Sequence, residues 1–125
     1  FRRVLFRSRM AGLVPGGWPA IRAQNHTLVV RARQHLLDLL GIAAPAPAEM
    51  LGSLATVPLP PARPGAGVNK DGLDLLGDTL LAEANIEVPV FPWPAPPARM
   101  LRVAAQLYND EADYLRLVDA LRTRL

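Results

Sequence analysis

Thirteen prolines punctuate this chain of 125 residues, and regular structure is expected mainly in the stretches between their clusters. Proline has no N–H to give to a helix or a central strand, and its ring clashes with the preceding turn. Pro15 with Gly16-Gly17, then Pro45-Ala46-Pro47, then Pro58-Leu59-Pro60-Pro61, then Pro92, Pro94, Pro96 and Pro97 mark the joints. Half of the residues are hydrophobic, which suits one compact domain with a modest core.

Residues 10–14 read as the last turn of a helix, closed by Pro15-Gly16-Gly17. From Trp18, with Pro19 in the first turn where proline is tolerated, Ile21, Leu28, Ala32, Leu36 and Leu39-Leu40 recur at helical steps up to Gly41, a C′ glycine. The polar face of this helix is expected to carry Arg22, Asn25, Arg31, Arg33 and Asp38. Its two histidines, His26 and His35, are not one helical turn apart as a metal pair would be, and are expected to be ordinary surface or half-buried residues.

After the stiff Pro45-Ala46-Pro47 connector, Ser53, Ala55 and Val57 alternate with Leu54 and Thr56, a strand expected to stop at Pro58. Residues 61–70 form a proline- and glycine-rich surface loop. Its G-A-G-V-N-K lacks the glycine directly before lysine and the Ser/Thr directly after it that a phosphate-binding loop needs. Asp71 is expected to cap a second helix with Leu73, Leu76, Leu80, Leu81 and Ala84 as its buried stripe and Asn85 as its stop. Ile86, Val88 and Val90 alternate with Glu87 and Pro89, an edge or bulged strand, and Trp93 lies in a rigid proline connector. A third strand spans residues 100–107. Asn109 or Asp110 caps the last helix, with Glu111 and Asp113 at its positive end and Arg122 and Arg124 at its negative end, and with Tyr114, Leu117, Val118 and Leu121 pointing inward. The order helix, strand, helix, strand, strand, helix predicts an α+β two-layer domain with a small, mostly antiparallel sheet of about three strands covered by helices.

The formal charge of +3 and the pI near 10.2 would indicate a nucleic-acid or anionic-membrane partner if the basic residues shared a folded face. Four of them, Arg2, Arg3, Arg7 and Arg9, crowd the first nine residues. The remaining ten face eleven acids, so neither a nucleic-acid nor a membrane partner is expected. Residues 1–8, F-R-R-V-L-F-R-S, resemble the in-frame translation of a sequencing-adapter end and are set aside as a scar. A signal or transit peptide would need an apolar stretch that Ser8-Arg9 interrupts. No cysteine is present, which removes disulfides, thiolate metal sites and cysteine nucleophiles together. No apolar run reaches the ~18 residues of a membrane-spanning helix, and a cytoplasmic location is expected.

Arg102 is the candidate substrate-binding residue. It stands among Met100, Leu101, Val103 and Leu107, where a guanidinium is costly to bury unless it meets an anion, and its fork matches a carboxylate bidentately. The plainer alternative is an edge-strand arginine that reaches solvent or pairs with a carboxylate such as Glu87.

The stretch R-M-L-R-V-A-A-Q-L-Y-N-D at residues 99–110, with G-G-W-P-A-I-R-A-Q-N-H at 16–26 and I-E-V-P-V-F-P-W-P at 86–94, resembles the end of class V aminotransferase-type enzymes, nearest the isopenicillin N epimerase-like branch. These are pyridoxal-phosphate (PLP) enzymes of fold type I. The resemblance covers essentially residues 10–125 and implies that residues 9–125 are the C-terminal small domain, the large PLP-binding domain lying upstream. In the family pattern R-I-S-x-x-x-Y-N the arginine holds the substrate's α-carboxylate. Arg102 falls on that arginine and Tyr108-Asn109 on the Y-N, while Ala104 replaces the serine. The resemblance also implies that the Trp93 loop faces the active-site mouth, that the parent binds PLP in its large domain and forms a homodimer, and that its substrate is of amino-acid type. The reaction would be transamination, epimerisation or desulfuration. A PLP enzyme needs a lysine for a Schiff base and an acidic partner for the pyridine nitrogen; the single lysine here, Lys70, stands in a loop. The fragment alone is therefore expected to bind no cofactor and to be inert. The alternative reading is a stand-alone domain that binds a protein partner through its apolar sheet face.

Overall fold

The computed structural model describes residues 8–125, so all but Ser8 of the suspected scar lies outside the described residues. Residues 8–11 form a helical turn. There follow α1 (Gly17–Leu40), a single 3-10 turn (Ala48–Met50), β1 (Leu54–Leu59), α2 (Leu75–Ala84), β2 (Val90–Pro92), β3 (Arg99–Ala104) and α3 (Glu111–Arg122). The sheet order is β1-β3-β2 with both pairings antiparallel, an α+β two-layer domain as expected.

Strand alternation sends Ala55, Val57 and Leu59 of β1, Val90 of β2 and Leu101 and Val103 of β3 to one face, all buried. There they meet Val29, Ala32, Leu36 and Leu37 of α1 and Tyr114, Leu117, Val118 and Leu121 of α3 in one continuous core. The other face, which carries Leu54, Thr56, Met100, Arg102 and Ala104, has no buried residue. Leu80 of α2 adds to the core beside β2.

Two proline positions are explained by the ladder. Val57 pairs with Leu101 and Ala55 with Val103, and Ala105 N donates to Ser53 O at 2.8 Å, so the hydrogen-bonded rows on this side are the odd-numbered ones. Pro58, opposite Met100, falls on a row whose amides point away from β3 and forfeits no ladder bond. The strand therefore continues through Pro58 to Leu59 rather than stopping before it. On the other edge, Arg102 N donates to Pro89 O at 3.1 Å, and Pro89 has no N–H to return. Regular pairing begins only at Val90, so the strand read over residues 86–90 lies instead at Val90–Pro92.

Other boundaries also shift. The third strand ends at Ala104, because Gln106 and Leu107 turn: Gln106 N bonds to the Asn109 side chain at 3.1 Å. Asp74, not Asp71, caps α2, its carboxylate accepting from Leu76 N at 2.8 Å. Only Leu76 and Leu80 of the predicted α2 stripe are buried, and Leu73 and Leu81 are exposed, because α2 packs on the sheet along its β2 edge. On α1, Asn25 and Arg33 are buried rather than solvated. Arg33 Nη1 donates to Ala46 O at 2.7 Å and Asn25 Nδ2 to Gln106 Oε1 at 3.0 Å. The stop of α1 at Gly41 (φ 65°), the stop of α2 at Asn85 (φ 53°) and the Asp110 cap of α3 are where the sequence puts them. Among the described residues no helix is long and apolar enough to cross a membrane.

Candidate functional site

Arg102 lies opposite Thr56 in the central strand, between the buried Leu101 and Val103, and alternation alone sends its side chain to the uncovered face of the sheet. Among the described residues the guanidinium has neither a hydrogen-bond nor an ion-pair partner; the structural pairing with Glu87 does not form. Arg102 lines an open groove of about 550 Å³ whose walls include residues 85–89, Leu54, Tyr108, Asn109, Asp113 and Arg116. Residues 85–89 arrive there because Asn85 turns the chain out of α2 in the left-handed region, with Asn85 N on Leu81 O at 3.1 Å and Ile86 N on Leu80 O at 3.1 Å.

The other charges of the groove are partly committed. Arg116 Nη2 donates to Ala84 O and Asn85 O, each at 3.3 Å, so it satisfies carbonyls left open at the end of α2. Asp113 completes a capping box with Asp110, its Oδ2 accepting from Asp110 N at 3.2 Å, and it also accepts from Asn109 Nδ2 at 3.2 Å. Tyr114 O–H donates to Ala104 O at 2.7 Å. Burial, with smaller contributions from the Asp113 charge and from Tyr108, pushes its phenol above the usual tyrosine value. Tyr108 is 84% exposed at the groove mouth. What remains for a ligand is one uncommitted cation, Arg102, and one uncommitted anion, Glu87.

The remaining sequence candidates lie elsewhere. Trp93 is 64% exposed at the β2-β3 hairpin, its backbone N–H on Ala98 O at 3.0 Å, and does not line the groove. Lys70 is exposed in the loop before α2 and lines no groove with Arg102. His35 Nε2 lies 2.7 Å from Glu111 Oε1 and His26 Nδ1 3.1 Å from Leu51 O; both are half-buried and tie α1 to its neighbours. Among the described residues no three His, Asp or Glu side chains converge as a metal site would require. Sequence reading missed Arg116 and the ion pair of Asp74 with Arg99, whose partners are distant in the chain. Glu87 was legible in advance only as a structural partner for Arg102.

A two-layer domain that presents one unpaired arginine on an open sheet face is the class the fold and groove define. No family model matches the chain. It is similar, at 34% identity over 113 residues, to "Probable L-cysteine desulfhydrase, chloroplastic" of Arabidopsis thaliana; the match takes in 85% of this chain and 23% of that protein. The chain thus spans under a quarter of the curated relative it matches.

Proposed function

We propose that this chain is the small domain of a PLP-dependent enzyme acting on amino-acid-type substrates, and that Arg102 binds the substrate carboxylate. The observation that carries the reading is the unpartnered guanidinium of Arg102 in a groove on the uncovered sheet face. Structural arginines find carbonyls or carboxylates, as Arg33, Arg99, Arg116 and Arg124 do; a guanidinium held free on a central strand is pre-organised for a ligand anion. The similarity to a desulfhydrase supports the enzyme class and favours desulfuration among the possible reactions. The finer assignment to the class V, isopenicillin N epimerase-like branch rests on the sequence patterns around Trp18, Trp93 and Arg102.

The residues of this chain do not themselves fit the cofactor. PLP supplies an electron sink for bonds at the substrate's α-carbon, but it needs a lysine inside a pocket, and Lys70 is exposed on a loop. The cofactor would sit on a large domain of the same polypeptide, which with a dimer mate would cover the outer sheet face in the cytoplasm. The role left to this chain is to hold and orient the carboxylate.

The test is Arg102→Ala in the full-length enzyme. Losing one member of a desolvated charge pair costs on the order of 2–5 kcal/mol, a fall in kcat/KM of roughly 30-fold to several thousand-fold. Arg102→Lys recovers only part, because a point charge lacks the fork. Cofactor absorbance is retained in both variants. Unchanged kinetics would return Arg102 to the plainer reading, an arginine that only reaches solvent; a second reading, a stand-alone protein-interaction domain, is favoured by the exposed Leu54 and Tyr108 on the same side of the sheet.

A further inference from the structure

The groove holds an acid whose charge nothing in the described chain neutralises. Pro89 accepts from Arg102 N at 3.1 Å, in the same antiparallel register that pairs Val90 with Leu101. Carried on, that register brings Glu87 to the level of Ala104, the next outward-facing residue after Arg102. A residue so placed is a diagonal cross-strand neighbour, roughly 7–8 Å away between backbones. Glu87 is exposed, lines the groove with Arg102, and has no hydrogen-bond or ion-pair partner. The two groups share a groove without closing on one another, so each is available to a guest that lies between them. The backbone here is fixed from behind. A Cβ at Gly77 of α2 would stand 3.2 Å from Val88 O, so the helix seats directly on the segment that carries Glu87.

We propose that Glu87 is a specificity residue: with a carboxylate bound at Arg102, it repels a second negative charge and selects substrates whose far end is neutral or cationic. The inference rests on the carboxylate reading of Arg102 given above. Asp113 lies in the same groove and adds to the repulsion, while Arg116, held on Ala84 O and Asn85 O, opposes it. Of these charges Glu87 is the one with no other bond to keep it in place. A dicarboxylic amino acid would bring its distal carboxylate toward this uncompensated acid, whereas a thiol, hydroxyl or ammonium group would meet an acceptor.

The test is a titration of the full chain with butanoate and with butanedioate at neutral pH, two probes of equal carbon count and different charge. The arginine side-chain N–H resonances are followed by NMR, with Arg102→Ala identifying the relevant signal. The wild-type chain is expected to bind butanoate more tightly than butanedioate. Glu87→Gln is expected to close that gap by about three- to fivefold, the size of an interaction between partly solvated charges, with butanoate affinity unchanged and backbone amide signals undisturbed. A gap of the same size in Glu87→Gln would overturn this inference and leave the carboxylate reading standing. If neither probe moves the Arg102 signal, the carboxylate reading fails and the inference with it.

Discussion

Asp74 and Arg99 are 25 residues apart in the chain, yet Arg99 Nη1 donates to Asp74 Oδ1 at 3.2 Å with side chains only 11% and 8% exposed. The same carboxylate oxygen caps α2 through Leu76 N, and Arg99 Nε reaches Pro60 O at 2.8 Å. Asp74 N also donates to Val90 O at 2.9 Å. One residue thus fastens the start of α2 to the mouth of the β2-β3 hairpin and, through Arg99, to the end of β1.

Asp74→Ala should be severely destabilising. It removes a helix cap, worth ~1 kcal/mol, and leaves Arg99 charged in a site closed to water, for which breaking a buried pair typically costs about 3–5 kcal/mol. Asp74→Asn keeps the cap geometry and should lose less. Urea denaturation of the three proteins checks the order: equal midpoints for wild type and Asp74→Ala would show that the pair contributes nothing.

Tyr114 makes the fold sensitive to alkali. Its phenol is raised above the usual value of 10.0, first by burial, so the folded state holds that proton more tightly than the unfolded chain does. A group raised on folding contributes stability that is complete below the unfolded value and is lost as pH climbs through the folded one. Stability should therefore decline from about pH 10 upward, in step with tyrosinate absorbance. Tyr114→Phe should remove this component of the decline and cost on the order of 1 kcal/mol at neutral pH, since Ala104 O loses its donor. An unchanged alkaline profile in the phenylalanine variant would assign the effect elsewhere.

Gly77 answers to space rather than to backbone freedom. Alanine is the better helix former by about 1 kcal/mol, but its Cβ would press on Val88 O at 3.2 Å. A larger side chain would have to push that segment further. Gly77→Leu is expected to cost about 1–3 kcal/mol by overpacking and to shift the amide resonances of residues 85–89; a stabilised protein with those signals in place would contradict the close seating of α2.

What could be read in advance was whatever depends on near neighbours. The last helix is an example: Asp110 and Asp113 complete the cap, and Tyr114, Leu117, Val118 and Leu121 supply the buried face, all within one segment. The outward position of Arg102 likewise follows from alternation with Leu101 and Val103. The start of α2 was not legible, because Asp71 and Asp74 are equally good caps locally, and the choice is made by Arg99 and Val90, which come later in the chain. Asn25 and Arg33 look like solvated-face residues by type. They are buried because Gln106 and the carbonyl of Ala46 happen to wait opposite them. The wall of the groove opposite Arg102 was hidden for the same reason, since it depends on how the turn at Asn85 aims the chain.

The central place of β3 bears on how steadily Arg102 is held. Leu101 and Val103 bond toward β1 while Arg102 bonds toward Pro89, so the strand is stitched on alternate sides to two neighbours. Core strands held on both edges lie toward the high end of the range of opening free energies. The Arg102 amide should then exchange slowly with deuterium, and the guanidinium is mounted on a backbone bonded on both sides, although it is itself exposed to solvent.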